Sequence, residues 1–284
     1  NVTRSTNERG LVDNRALVVG GQFQATLIWT SQHADTRLQK GSLVRVEWPE
    51  HLSDKDEMIK VTRLVFLDAV DHGVNLFETI PNSWIRDQAL LDRAKTLWET
   101  LSAPFQACFN ELFWDSGRFQ RFLFVPGSLN GHHNSWHGNF EHAVEVAENA
   151  RRVSANMPGV SQSVLILAAL IHDAGKADEY SWSGNYCRRT DAGSLIGHKD
   201  ILKAWLGAIF DRKCDLLTEA QRHGLWHTLF SAKNAPAYLD IRESCMLEAE
   251  ILSMADRLSG SQNLHQQVGY RSSGFGARHE HLRA

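Results

Sequence analysis

The stretch "LAALIHDAGK", residues 167–176, decides how this chain is read. Eight apolar residues, Val164 to Ile171, run unbroken into the pair His172-Asp173, and Lys176 follows one helical turn later. The run is far short of the roughly 20 residues that a membrane-spanning helix needs, so it reads as a buried core helix. Ending such a helix in two metal-seeking side chains sets two readings against each other: an ordinary polar helix end, or half of a metal site. Partners elsewhere in the chain decide between them.

Downstream of about Asn82 the apolar residues recur at helical spacing, as in "SWIRDQALLDRAKTLWETL" (83–101), with Asn82 or Ser83 as the expected cap. Later helices are expected near 138–157, 161–174, 197–211, 218–231 and 242–262. Each carries a polar interruption: His142 in the first, His172 and Asp173 in the second, His198 at the start of the third, His223 and His227 in the fourth, and Asp256 near the end of the fifth. The apolar face of the fifth is read as Leu247, Ile251, Met254 and Leu258. Singly, a His or Asp of this kind is usually a satisfied polar residue. As a set on five helices they form the pattern by which helical domains build metal sites from inward side chains. His and Asp suit transition metals, and none of the four cysteines (108, 187, 214, 245) forms a Cys-x-x-Cys pair, which argues against a structural zinc cage. Free thiols of this kind point to a reducing, cytoplasmic location. The adjacency of His172 and Asp173 lets one bind a first ion while the two-oxygen carboxylate bridges to a second, the arrangement of two-metal hydrolases. Lys176 is positioned to reach a phosphate oxygen, so Asp173, His172 and Lys176 are the candidate catalytic residues.

Upstream, short runs rich in aromatic and β-branched residues read as strands: "QFQATLIW" (22–29), "GSLVRVEW" (41–48), "IKVTRLVFLDAV" (59–70) and "VNLFETI" (74–80). Their spacing suggests a small barrel or sandwich. The expected organisation is a two-domain α+β chain: a loose segment 1–14, a β domain 15–86, an all-α domain 87–262 and a flexible tail 263–284. A short hairpin is expected at 177–190, turning near Ser183-Gly184-Asn185. Apolar residues make up 43% of the chain, enough for a core, and the net charge of -3 gives no overall signal for nucleic acid.

The segments "FEHAVEVAENA" (140–150), "LAALIHDAGK" (167–176), "GSLIGHKDI" (193–201) and "EAEILSMADRLS" (248–259) resemble the HD metal-dependent phosphohydrolase superfamily, and within it the YhaM-type 3′→5′ exoribonucleases. The resemblance covers about 126–262. It implies an OB-like β-barrel domain in front of the all-α HD domain. It implies that His142, His172 and Asp256 ligate one metal, that Asp173 bridges, and that His198 and His227 ligate a second, with His223 the rival of His227 because the family's tandem His pair is split here. It implies two divalent ions, manganese first, with iron, nickel, zinc or magnesium as alternatives. His132 and His133, resembling a family His pair, and Arg188 and Arg189 on the expected hairpin join Lys176 as candidate substrate-binding residues; His137 is an extra loop His. Phe23, Trp29, Trp48 and Phe66, with Arg37, Lys40, Arg45, Lys60 and Arg63, are the β domain's candidate base-stacking and phosphate residues, interleaved with Glu47, Glu50, Asp54, Asp56 and Glu57.

The function so implied is a phosphodiesterase, a 3′→5′ exonuclease on single-stranded RNA or DNA using a metal-activated water. The alternatives are a nucleotide phosphohydrolase acting on small phosphoesters and a non-catalytic nucleic-acid-binding accessory module. No membrane partner is expected, and a homo-oligomer is allowed.

Overall fold

The fold is taken from a computed structural model that describes residues 2–20, 23–50, 58–184 and 186–268. The N-terminal region is strand-rich: β1 (Val2–Thr6), β2 (Val12–Gly20), β3 (Phe23–Ser31), β4 (Val44–Glu47), β5 (Met58–Lys60) and β6 (Arg63–Phe66). Strands β1, β2, β3 and β5 form one sheet in that order, antiparallel except for the parallel β3–β5 pair, while β4 and β6 form a separate antiparallel ladder. Residues 58–66 join the two, because Val61 N–H donates to Ile28 O and Thr62 N–H to Glu47 O. Between them lies a small core of Ala16, Leu27, Trp29, Leu38, Val61 and Leu64.

Three expectations change here. No closed barrel forms among the described residues. The segment expected to be loose, 1–14, contributes β1 and the start of β2. "VNLFETI" is a 3-10 turn (Leu76–Thr79) capped by Asn75, whose Oδ1 accepts from Phe77 N–H. Leu76, Phe77, Ile80 and Ile85 belong to the core of the helical region, so the strands end well before residue 86. Alternating apolar residues in so short a run fit a strand or a tight turn equally, and tertiary packing chose the turn.

The helices are α1 (Gln88–Glu99), α2 (Ala103–Phe113), α3 (Ser116–Phe124), α4 (Gly138–Ser154), α5 (Gln162–Ile171), α6 (Lys176–Glu179), α7 (Asp191–Leu195), α8 (His198–Arg212), α9 (Glu219–Phe230) and α10 (Leu247–Val268), with a hairpin, β7 (Tyr180–Ser183) and β8 (Tyr186–Arg189), after α6. Asp87, not Asn82 or Ser83, caps α1 by accepting from Leu90 N–H. Pro104 in the first turn of α2 loses no hydrogen bond there. A cluster of rings including Phe77, Phe109, Phe113, Phe119, Phe122 and Phe140 packs α2, α3 and α4 together. Residues 164–171 of α5 are all buried, so α5 is the central helix.

Helix α10 is rotated from its expected face. Ile251, Leu252, Ala255 and Ser259 are buried, whereas Leu247, Met254 and Leu258 are 54%, 43% and 43% exposed. The rotation puts Asp256 against α4, so the site rather than maximal apolar burial sets the register. Helix α10 also runs to Val268, six residues into the expected tail; residues 269–284 and Asn185 lie outside the described residues, as do Asp54, Asp56 and Glu57. No helix among the described residues is long and apolar enough to cross a membrane.

Candidate metal centre

His142 sits on the first turns of α4 with no solvent exposure. Its Nε2 lies 3.0 Å from Asp256 Oδ1, 3.3 Å from His172 Nε2 and 3.7 Å from Asp173 Oδ2. His172, the residue that ends α5, brings its own Nε2 to 3.5 Å from Asp173 Oδ2 and 3.9 Å from Asp256 Oδ1. Helices α4, α5 and α10 thus bring four of the expected ligands together.

The hydrogen-bond network assigns the protons. His172 Nδ1 lies 2.8 Å from the Ala169 carbonyl, so it carries a hydrogen, and in the neutral ring Nε2 is the lone pair. His142 Nδ1 lies 3.0 Å from Ser259 Oγ, whose own hydrogen goes to Glu145 Oε2 at 2.7 Å. Ser259 therefore accepts from His142 Nδ1–H, and His142 Nε2 is also a lone pair. Burial holds the His142 imidazole neutral, its pKa pushed down to about 4. Two imidazole lone pairs 3.3 Å apart, with carboxylate oxygens of Asp256 and Asp173 beside them, make a set of electron-pair donors with no proton between them. A divalent cation satisfies such a set, and His, His, Asp and Asp suit a transition metal. The donors present fit the ion that the sequence implied.

Asp173 is the floor of the site and is buried. Burial alone would raise its carboxyl pKa, but the Lys176 ammonium, joined in acid by His172, His142 and His198 once they are protonated, outweighs burial and holds it well below the usual range. Lys176 is buried too; burial lowers its pKa, and Asp173 more than reverses that. Its Nζ donates to Asp173 Oδ2 and to Gly127 O, both at 2.5 Å. The expected reach of Lys176 toward a substrate phosphate is therefore not what the structure shows: the ammonium is enclosed as the counter-ion of Asp173.

The other oxygen, Asp173 Oδ1, faces His198 Nε2 at 3.3 Å. His198 opens α8, and its Nδ1 donates to Glu179 Oε2 at 2.5 Å while its backbone N–H donates to the same oxygen. In the neutral ring His198 Nε2 is a third lone pair, aimed at the centre. The approach of α6 to α8 requires Gly175: a Cβ there would lie 2.0 Å from His198 O. Glu179 is held in turn by Arg189, Nε to Oε1 at 3.5 Å.

His227 is not brought to this cluster. Its Nε2 accepts the N–H of Cys245 at 3.1 Å and meets Cys245 Sγ at 3.4 Å, and among the described residues no contact joins it to Asp173 or His198. The rival, His223, is exposed and lies 4.0 Å from Glu219. The His132-His133 pair comes in on the loop before α4. His133 is buried, in the left-handed region at φ 51, and donates Nε2–H to Glu145 Oε2 at 3.2 Å. Its Nδ1 therefore accepts from His132 Nδ1, at 3.3 Å. This leaves His132 Nε2 unprotonated, with the His132 ring 5.1 Å from that of His142. His137 donates to Leu123 O, a structural contact. Arg188 is exposed on β8.

Sequence reasoning missed Glu145, Ser259 and Glu179, the groups that fix the His tautomers. Two of them left a signal: Glu145 lies three residues after His142 and Ser259 three after Asp256, spacing that places each pair on one helix face.

In the strand-rich region Trp29 is core, and most candidate cations already have partners: Arg63 with Glu47 at 2.6 Å, Arg37 with Asp35 at 2.8 Å, and Arg45 with Glu47 at 3.9 Å. Phe66 is partly buried beneath Arg37, while Phe23 and Trp48 stay exposed and meet edge to face at 6.2 Å.

The family model for the HD domain matches residues 139–261. That span holds His142, His172, Asp173, His198 and Asp256, and the match of this region to the HD domain implies metal-dependent phosphohydrolase chemistry. No solved structure matches the chain.

Proposed function

We propose that this chain is a metal-dependent phosphodiesterase that releases nucleotides from the 3′ end of single-stranded nucleic acid. The observation that carries the reading is the convergence of the Nε2 atoms of His142, His172 and His198 on the buried carboxylate of Asp173. In this reading His142, His172, Asp173 and Asp256 hold a first divalent ion, and Asp173 Oδ1 with His198 begins a second position. A bound divalent ion supplies Lewis-acid polarisation of the phosphoryl group and lowers the pKa of a water near it.

The chain's own residues do the rest. The relay His142–Ser259–Glu145 and the pair His198–Glu179 hold the imidazoles in the tautomer that presents Nε2, as carboxylate partners do for ligating His generally. Lys176 offsets the charge of Asp173, which reduces repulsion of an incoming phosphodiester without itself reaching solvent. Asp256, with its side chain 45% exposed, is the ligand on the open side, so substrate approaches past α10.

The second reading, a phosphohydrolase of small phosphoesters, is favoured by one observation: the strand-rich region pairs Arg37, Arg45 and Arg63 with its own carboxylates. One experiment separates the two. Purified full chain with Mn²⁺ is given a 5′-labelled single-stranded oligomer, as RNA and as DNA, beside mononucleotides and cyclic nucleotides. Stepwise shortening from the 3′ end, abolished by Asp173→Ala, supports the first. Turnover of small esters with an intact oligomer replaces it by the second, and no turnover of either by the Mn²⁺-loaded protein overturns both.

A further inference from the structure

The loop before α4 and the segment formed by α6 and β7 both feed the candidate centre. The loop supplies His132 and His133, and its Gly127 carbonyl holds Lys176; the α6 segment supplies Lys176 itself and Glu179. The same two segments meet a second time, outside the centre. Trp136 of the loop stacks on Trp182 of β7 with ring centroids 4.2 Å apart and planes 13° apart. Trp182 is anchored, its Nε1–H donating to Phe124 O at 3.0 Å, and Phe124 meets Trp136 nearly at right angles. Trp136 nevertheless stays 46% exposed, the most open of the aromatic residues in this part of the fold apart from Tyr186 at the hairpin tip.

The backbone holds Trp136 there at a cost. The residues on either side of its short segment, His133 and His137, adopt the left-handed conformation at φ 51 and 66, which is unfavourable for a non-glycine residue. This conformation turns His133 into the centre and leaves Trp136 outside it. Arg189, on the same hairpin face as Trp182 by the pairing Tyr180↔Arg189 and Trp182↔Cys187, keeps 57% of its side chain exposed while reaching Glu179. An indole whose inner face is already stacked, with a half-exposed guanidinium on the hairpin face of the ring that backs it, matches what single-strand binders offer a base and its phosphate.

We infer that Trp136 is a base-stacking platform beside the candidate metal centre, holding the base of a nucleotide near the scissile end of a single strand, with Trp182 as its backing. The inference rests on the proposal that the substrate is nucleic acid, and its test does not need turnover. Full-length protein in EDTA, so that nothing is cut, is titrated against a labelled single-stranded oligomer while anisotropy is read. The same oligomer with abasic sugars at its 3′-terminal positions is the comparison. Stacking predicts that loss of the bases weakens binding by about tenfold, that Trp136→Ala does the same to the intact oligomer, and that Trp136→Phe keeps most of the affinity. Equal affinity of the wild-type protein for the intact and abasic oligomers overturns the inference, as does unchanged affinity in Trp136→Ala. If Trp136→Ala does not fold, the abasic comparison on the wild-type chain decides alone. Hydrolysis of bis-p-nitrophenyl phosphate by the Mn²⁺-loaded wild-type protein reports separately on the centre. Its absence defeats the phosphohydrolase reading, while the anisotropy still tells whether the platform exists.

Discussion

The two oxygens of Asp173 look onto unlike surroundings. On the Oδ2 side, His142, His172 and Asp256 converge from three helices, and Lys176 balances the charge. On the Oδ1 side, among the described residues, His198 stands alone, and His227 is tied to Cys245. The first side is made where α4, α5 and α10 pack as core, so its geometry comes with the fold. The second depends on α8 and α9, and on Cys245 in the segment before α10. Ligands carried by core helices are preorganised, while one held by a loop contact must exchange partners before it ligates.

The sharpest way to break the comparison is to remove the group both sides share. Asp173→Ala is expected to abolish ion binding on both sides and to lower hydrolysis by about 10³-fold or more. It also leaves the buried Lys176 ammonium without its carboxylate, and breaking a buried ion pair costs about 3–5 kcal/mol. The double variant Asp173→Ala with Lys176→Met recovers most of that stability but no metal. If the single variant melts like the wild type, or retains its ions by elemental analysis, the central role of Asp173 is lost.

Acid titrates His142 on the first side in the metal-free protein. The folded pKa of His142 is about 4 against an ordinary 6.5, with burial as the main cause. Between those values the unfolded chain binds a proton that the folded one does not. Stability is therefore full above pH 6.5 and lost as pH falls toward 4, by about 3 kcal/mol in total. His142→Leu removes this contribution, so the wild type should lose more urea resistance than the variant between pH 7 and pH 4.5 in EDTA. Parallel curves would show that His142 is not a buried neutral imidazole.

How far all this was legible in the sequence follows from the same contrast. The first side could be read because each candidate ligand interrupts an apolar helix that had to be buried: His142 beside Phe140 and Val144, and His172-Asp173 after 164–171. The rotation of α10 could not be read, since Leu247, Met254 and Leu258 make a better apolar stripe than the face it buries. The role of Gly175 was hidden as well: it is the approach of His198 O, a contact 23 residues away, that excludes a Cβ. Lys176 reads in the sequence as free to reach a phosphate oxygen because nothing local tells that Gly127 O and Asp173 will hold it. The barrel expectation failed where pairing is set by non-local register, which alternation alone does not encode.

A smaller effect separates the two sides through their supporting carboxylates. Glu145→Gln replaces the acceptor that Ser259 and His133 share with an amide, which loosens the His142 tautomer. Glu179→Gln does the same to His198. Partners of this kind are worth about 10–100-fold in metal affinity. Calorimetric titration with Mn²⁺ should show the tighter site weakened by Glu145→Gln and the weaker one by Glu179→Gln. A variant that weakens both equally would mean that the sides are one site.

The least effect is expected from His227→Ala. Its Nε2 is committed to Cys245, so the tighter ion should stay bound with affinity within about twofold of the wild type, the scale of a substitution away from the site. Hydrolysis should stay within the same range, whereas His198→Ala, which removes a lone pair aimed at Asp173 Oδ1, lowers it further. Measuring both variants side by side at saturating Mn²⁺ makes the outcome decisive. If His227→Ala loses as much activity as His198→Ala, then His227 leaves Cys245 when the second ion binds, and the two sides of Asp173 differ only until that ion arrives.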